Sequence, residues 1–174
     1  MKNIKATILL ILLSFNALSQ DINQDYQLSP KESQLTTQER ETKKAALNYA
    51  KFWNTGDEHY LQLALHQNFL DKNLPEGRAQ GIEGPKDASV FFRKAVPDLN
   101  CTIEAIYIIE DKAVVRLNFK GSFSGDFGNK KGRSQKINFS AVDMYTVKEG
   151  KIIENWHLED NLTLMKQLGA VTFN

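Results

Sequence analysis

From Thr36 to about Ala95 the apolar positions of this chain recur every three or four residues, and from Asn100 onward they recur every second residue. The first period is that of a helix face, the second that of a strand with one buried side. Thr36-x-x-Glu39 has the form of a capping box. Ala46, Tyr49, Ala50 and Trp53 follow at i, i+3, i+4 and i+7, so a first helix is predicted to bury that stripe and to end at Asn54-Thr55-Gly56. A second, short helix begins after Asp57, carries Tyr60, Leu61 and Leu65, and closes at Phe69-Leu70. Gly84-Pro85 sets up a third, with proline at the first helical position. Its stripe is Ala88, Phe91, Phe92 and Ala95, and Pro97 stops it.

Four β-rich runs follow: 102–109, 113–123, 137–147 and 152–158. They are separated by Glu110-Asp111, by the loop 124–134 and by Glu149-Gly150. Short breaks make hairpins, so three helices precede an antiparallel meander in an α+β domain. A lipocalin-type barrel is disfavoured, because it needs eight strands and an early strand region. If Glu149-Gly150 is a two-residue turn, Lys148 faces Lys151, and counting back pairs Met144 with Asn155, Asp143 with Trp156 and Val142 with His157. Asp143 and Trp156 then share one face with Phe139, Tyr145 and Glu154, while Asn155 and His157 share the other. An acid among such neighbours is costly unless paired. Arg116 on an earlier strand is its candidate partner, and a ligand-facing role for Asp143 is the alternative.

Composition changes the picture at the N-terminus. The 174 residues are 41% hydrophobic and 25% charged, which suits one globular domain. Residues 1–19 differ: a basic start with Lys2 and Lys5, an apolar run from Ala6 to Leu13, and the small-x-small site Ala17-Leu18-Ser19. That is the form of a secretory signal peptide. Its apolar run is shorter than the roughly 20 residues a membrane span needs. The expected protein is secreted or periplasmic, with no membrane partner after cleavage. Residues 20–35, polar and Gln-rich, are expected to form a tether, and 36–174 the domain. Cleavage removes two lysines and no acid, so the balance of 22 basic to 21 acidic side chains turns slightly acidic, and nothing in it favours a nucleic-acid partner. The cluster Lys130-Lys131-Gly132-Arg133 reads as a solvated hairpin loop. The single cysteine, Cys101, reads as a packed strand residue. His59, His66 and His157 lack close metal-ligand spacing, and neither a Gly-x-Ser-x-Gly elbow nor a phosphate-cradling glycine loop is present. No metal and no organic cofactor is expected.

The C-terminal run Glu154-Asn155-Trp156-His157-Leu158-Glu159-Asp160, continuing through Leu162-Thr163-Leu164 to Gln167-Leu168-Gly169, resembles the closing signature of the SnoaL-like polyketide cyclases, within the nuclear-transport-factor-two-like fold. Further landmarks of the resemblance are Phe52-Trp53-Asn54-Thr55-Gly56-Asp57, Phe69-Leu70-Asp71, Gly81-Ile82-Glu83-Gly84, Gly121-Ser122-Phe123-Ser124-Gly125 and Asp143-Met144-Tyr145. Together they span roughly residues 40–170. After the Phe-x-Asp landmark this chain has Lys72 where many relatives have histidine. The resemblance implies a cone-shaped curved sheet packed against the three N-terminal helices, a short C-terminal helix, and a pocket between sheet and helices. It also implies ring closure by intramolecular aldol condensation without metal or organic cofactor, with Asp160 as acid and base.

One carboxyl group can serve both steps if an apolar pocket raises its pKa, and Trp156, Leu158 and Leu162 would supply those surroundings. The opposing reading makes Asp160 the N-cap of the terminal helix, where backbone N–H groups lower its pKa. The expected ligand is a small hydrophobic molecule, contacted by Trp53, Phe69, Arg116, Asp143, Trp156 and His157, with Phe91, Phe92, Tyr107, Phe119 and Phe139 adding aromatic area. Two functions stay open: a cofactor-free cyclase or isomerase acting on a hydrophobic carbonyl compound, and a non-catalytic binding module. A filled cone would instead leave a scaffold that acts through its surface, including a homodimer through the open sheet. A cavity under about 300 Å³, the lower end for ligand sites, with Asp160 facing solvent would count against both functions.

Overall fold

A computed structural model describes the backbone of residues 27–29 and all of residues 34–172. The leader expected over residues 1–19 and most of the tether expected over 20–35 lie outside the described residues. The elements are Gln27–Ser29 (β1), Thr37–Thr55 (α1), Glu58–Ala64 (α2), Leu65–Asp71 (β2), Glu83–Ala95 (α3), Asn100–Ile109 (β3), Lys112–Phe123 (β4), Asp126–Phe127 (β5), Lys130–Lys131 (β6), Gln135–Lys148 (β7), Lys151–Glu159 (β8) and Asn161–Gln167 (α4). The α+β class, the three leading helices, the meander β3-β4-β7-β8 and the short terminal helix agree with the sequence reading.

Two edge strands were not expected. The six-stranded sheet has the order β1-β3-β4-β7-β8-β2, and both outer strands pair in parallel with their neighbours. β1 lies inside the stretch read as a tether. β2 occupies the segment read as the end of the second helix, which stops at Ala64 instead. Its buried positions are 65, 69 and 71, an alternation the sequence hides because Asp71 is polar and the apolar Leu70 faces outward. The expected loop 124–134 contains the small hairpin β5–β6.

The helices form for the reasons the sequence suggests. Thr36 and Glu39 close a capping box at the start of α1, with Glu39 N donating to Thr36 Oγ1 at 3.2 Å and Thr36 N to Glu39 Oε2 at 2.8 Å. Gly56 ends it at φ 74, a left-handed turn that favours glycine. Arg93 of α3 donates through Nη2 to Trp53 O at 2.6 Å, tying α3 to the carbonyl end of α1. On the sheet, Ala113, Val115, Leu117 and Phe119 of β4 and Ile137, Phe139, Ala141, Tyr145 and Val147 of β7 turn inward and join Ala46, Tyr49, Ala50 and Phe52 of α1 in one core. Cys101 is packed in that core, where burial pushes its thiol pKa up and keeps it protonated.

Gly125 is where the loop after β4 crosses the end of α3. A Cβ there would lie 1.9 Å from Lys94 O, while Gly125 N donates to Ala95 O at 2.9 Å. The obstacle is backbone, so it cannot rotate away. Gly125→Ala is expected to cost about 1–3 kcal/mol through overpacking, seen as a melting temperature lower by several degrees in a circular-dichroism scan.

Candidate functional site

The β7–β8 hairpin decides which side chains meet. Its turn, Glu149-Gly150, has positive φ at both residues (53 and 71), as a two-residue primed turn requires. Lys148 faces Lys151 and Val147 faces Ile152, as expected. The next pair is Thr146 with Glu154, so Ile153 is an extra residue on β8, a β-bulge. Beyond it every pairing is displaced by one from the expected register: Tyr145 faces Asn155, Met144 faces Trp156 and Asp143 faces His157. A displacement of one residue exchanges the two faces of a strand.

Several expectations change as a result. Asn155 and His157 join Asp143 and Tyr145 on the buried face, while Trp156 is on the outer face, 37% exposed, in a cross-strand row with Tyr107, Val114 and Met144. Neither Trp156 nor Tyr107 belongs to the inner cavity. Arg116 is also outside: it lies opposite Val142, and its Nε bonds Glu104 Oε2 at 3.0 Å, so the Asp143–Arg116 pair does not form. Phe69 is buried in the core and does not line the cavity. Trp53, Asp143 and His157 of the expected set do line it, as do Phe91, Phe92, Phe119 and Phe139.

The cavity between the helices and the inner sheet face measures about 280 Å³. An unbroken series of aromatic contacts runs along it from the buried end to the mouth. Tyr145 meets Tyr49 edge-on at 5.8 Å, Tyr49 meets Trp53 at 6.1 Å, Trp53 meets Phe119 at 6.2 Å, and Phe119 stacks on Phe139 at 5.1 Å. Phe139 meets Phe92 at 6.1 Å, which passes through Phe127 to Phe91 at 6.2 and 5.6 Å. Phe91, 52% exposed, is an apolar ring left open beside the cavity. Both it and Phe127 lie on the wall, so the β5–β6 hairpin contributes to the site.

Polar groups gather among these rings. Tyr145 Oη donates to Asp143 Oδ2 at 2.6 Å. Burial pushes the Asp143 carboxyl up to about 6, against the opposing effects of the Tyr145 hydroxyl, His157 and the Asn155 amide, while the nearby Glu159 raises it further. The tyrosine is pushed up as well, first by burial and then by the carboxylate. Asn155 turns its amide N–H₂ toward Asp143, and its Oδ1 has no partner. Asp71, at the end of β2, places Oδ1 3.5 Å from His157 Nδ1, with both side chains buried.

Asp160 has a different setting. It is exposed, and its side chain accepts from Thr163 N at 3.0 Å as the N-cap of α4. The Thr163 hydroxyl, and after it that backbone N–H, lower its pKa. The expected raised pKa beside Trp156 is therefore corrected: capping is what this carboxylate does here. Asp160→Ala is expected to cost about 1 kcal/mol of stability with unchanged occupancy of the cavity, as chemical denaturation and ligand titration would show. A cavity of about 280 Å³, just under the roughly 300 Å³ mark, and a solvent-facing Asp160 meet the condition named above as counting against both functions. The cavity has another acid, Asp143. Asp71 and Asn155 stand outside the expected site set because the segment of β2 reads as helix and the bulge leaves no mark in the sequence. The Phe69-Leu70-Asp71 landmark was the available signal for the first.

The family profile of SnoaL-like polyketide cyclases matches residues 43–168. Among solved structures, a candidate polyketide cyclase from Bacillus cereus ATCC 10987 is 40% identical over 85% of this chain and 100% of its own, with a TM-score of 0.71. TsrD from Streptomyces laurentii is 26% identical over 79% of this chain and 99% of its own, with a TM-score of 0.69. IdmH from Streptomyces antibioticus, also a candidate polyketide cyclase, is 22% identical over 74% and 98%, with a TM-score of 0.67, a likeness of fold. No curated protein matches the chain.

Proposed function

The chain belongs to the SnoaL-like polyketide cyclase family, and from that premise we propose that it performs cofactor-free acid–base chemistry of the cyclase or isomerase kind on a small hydrophobic carbonyl compound, with Asp143 as the base. The observation that carries the reading is the Asp143 carboxyl, buried among aromatic rings with its pKa pushed up to about 6. A base poised near neutrality is mostly ionised at pH 7 yet basic enough to take a proton from carbon. In the step proposed, Asp143 takes a hydrogen next to the carbonyl as a proton, the C–H pair becomes a C=C bond, and the carbonyl π pair moves to oxygen. Aromatic walls orient the ligand and exclude water. Export rests on residues 1–19 and belongs to the same proposal. So does a homodimer through the sheet, supported by the exposed row Tyr107, Val114, Met144 and Trp156.

The test is hydrogen–deuterium exchange next to the carbonyl of 1-tetralone, a two-ring ketone, followed by proton NMR in D₂O. Catalysed exchange above the buffer rate supports the reading. Binding without exchange would make the chain a carrier, which the 2.6 Å Tyr145–Asp143 bond favours because it engages one of the two carboxyl oxygens.

A further inference from the structure

We infer that Asp71 is a positioning residue for His157, holding the ring so that Nε2 is the atom that exchanges the second proton of the reaction. The inference rests on the acid–base reading of Asp143. Removing a proton from carbon leaves charge on oxygen, and a second group must meet it. His157 lies directly across the strand pair from Asp143 and in the same cavity wall.

The end of β2 is clamped to β8 around this contact. Lys72 N donates to Asn155 O at 2.7 Å, and Asn73 Nδ2 donates to His157 O at 2.6 Å. Asn73 N donates to Asp71 Oδ1 at 3.0 Å, the oxygen that lies 3.5 Å from His157 Nδ1. Gln80 holds Asp71 from behind, accepting from its N at 2.7 Å and donating to its O at 3.0 Å. A buried carboxylate costs free energy unless something charged or donating meets it, and here the Asn73 N–H meets it at 3.0 Å and the His157 ring nitrogen stands next at 3.5 Å. A carboxylate at Nδ1 selects the Nδ1–H tautomer and leaves Nε2 for exchange. A contact of 3.5 Å is long for a hydrogen bond, as such contacts often are without ligand. The other titratable groups on the wall are Asp143, Glu159, Arg78 and Tyr49.

In the step inferred, the substrate oxygen takes the proton of Nε2–H from the protonated ring as Asp143 takes the carbon-bound one. The product is an enol, a protonated Asp143 and a neutral ring whose Nδ1–H faces Asp71. When the proton on Asp143 exchanges with D₂O before the step reverses, a deuteron returns to carbon and the ring takes its proton back from the substrate oxygen.

The experiment uses the chain from residue 20 onward with ¹⁵N-labelled histidine. Long-range ¹H–¹⁵N spectra of the neutral ring, together with exchange into 1-tetralone and its affinity, are compared in the parent, Asp71→Asn and Asp143→Asn. The expected result is Nδ1–H in the parent, loss of that preference in Asp71→Asn, and about a hundredfold slower exchange there with affinity within about twofold. A parent ring carrying its proton on Nε2, or the same tautomer in both proteins, overturns the inference, and the parent spectrum decides alone if the variant does not fold. If Asp143→Asn lacks exchange while Asp71→Asn keeps the full rate, the Asp143 reading stands and this inference fails. If Asp143→Asn exchanges at the full rate while the tautomer depends on Asp71, the positioning stands and the Asp143 reading fails.

Discussion

Asp143→Asn is expected to slow exchange into 1-tetralone by at least about a hundredfold, the smaller end of what a positioned general base contributes, while Asp160→Asn keeps close to the parent rate. An amide cannot take the proton, but its oxygen still accepts from Tyr145 Oη, so the contact at 2.6 Å keeps an acceptor. Asp160 is exposed, and its pKa is lowered by the Thr163 hydroxyl and by the Thr163 amide that it caps. The pair of variants therefore separates the buried acid from the carboxylate that the C-terminal signature singles out. Rates would be read by NMR at pH 7.5 with both proteins checked for folding. If Asp160→Asn is the inactive one and Asp143→Asn is not, the proposed base is the wrong aspartate.

The same Asp143→Asn variant should gain stability relative to the parent as pH rises. The native carboxyl is raised from 3.8 to about 6, so between those values the folded protein holds a proton that the unfolded chain has released. Stability then falls with pH over that window. This contribution is fully present below pH 4 and is lost as pH rises through about 6. At 1.36 kcal/mol per pH unit, the displacement amounts to roughly 3 kcal/mol, or about ten degrees of melting temperature for a domain of this size. Urea denaturation at pH 4, 6 and 8 reads the difference between the two proteins. A difference that stays constant across that range would show that the Asp143 carboxyl does not titrate near 6 in the native state. Catalysis in this reading uses the ionised form, the one whose burial weakens the fold.

Much of the architecture was legible because it rests on local rules. The capping box of α1 and the strict alternation of β7 are written in short windows and form as expected, while α3 starts at Glu83, two residues before the expected start at Pro85. β2 is not legible: its partner is β8, some eighty residues away, and its inward positions end on the polar Asp71 while the apolar Leu70 faces outward. Asp143 was singled out for the right reason, an acid on an inward-facing alternating strand, but was given the wrong partner. Arg116 looked suitable by charge, and only the backbone shows it on the far side of the sheet with Glu104. The aromatic lining was half legible. Trp53 and Phe92 have the helical spacing of core residues, and what leaves them on a cavity wall is the width of the gap between helix and sheet.

β8 carries two interleaved messages. One phase spells Asn155, His157 and Glu159, and the other Glu154, Trp156 and Leu158. Ile153 sets which phase faces inward, much as a single inserted letter sets a reading frame. Pairing Ile153 with Thr146 in a regular ladder, without the bulge, would turn Trp156 and Leu158 toward the cavity and carry Asn155 and His157 out to solvent, with no side chain substituted. For a scaffold whose chemistry depends on a few polar groups among aromatic rings, the irregularity of one strand is thus as much a determinant of what the cavity can hold as its composition.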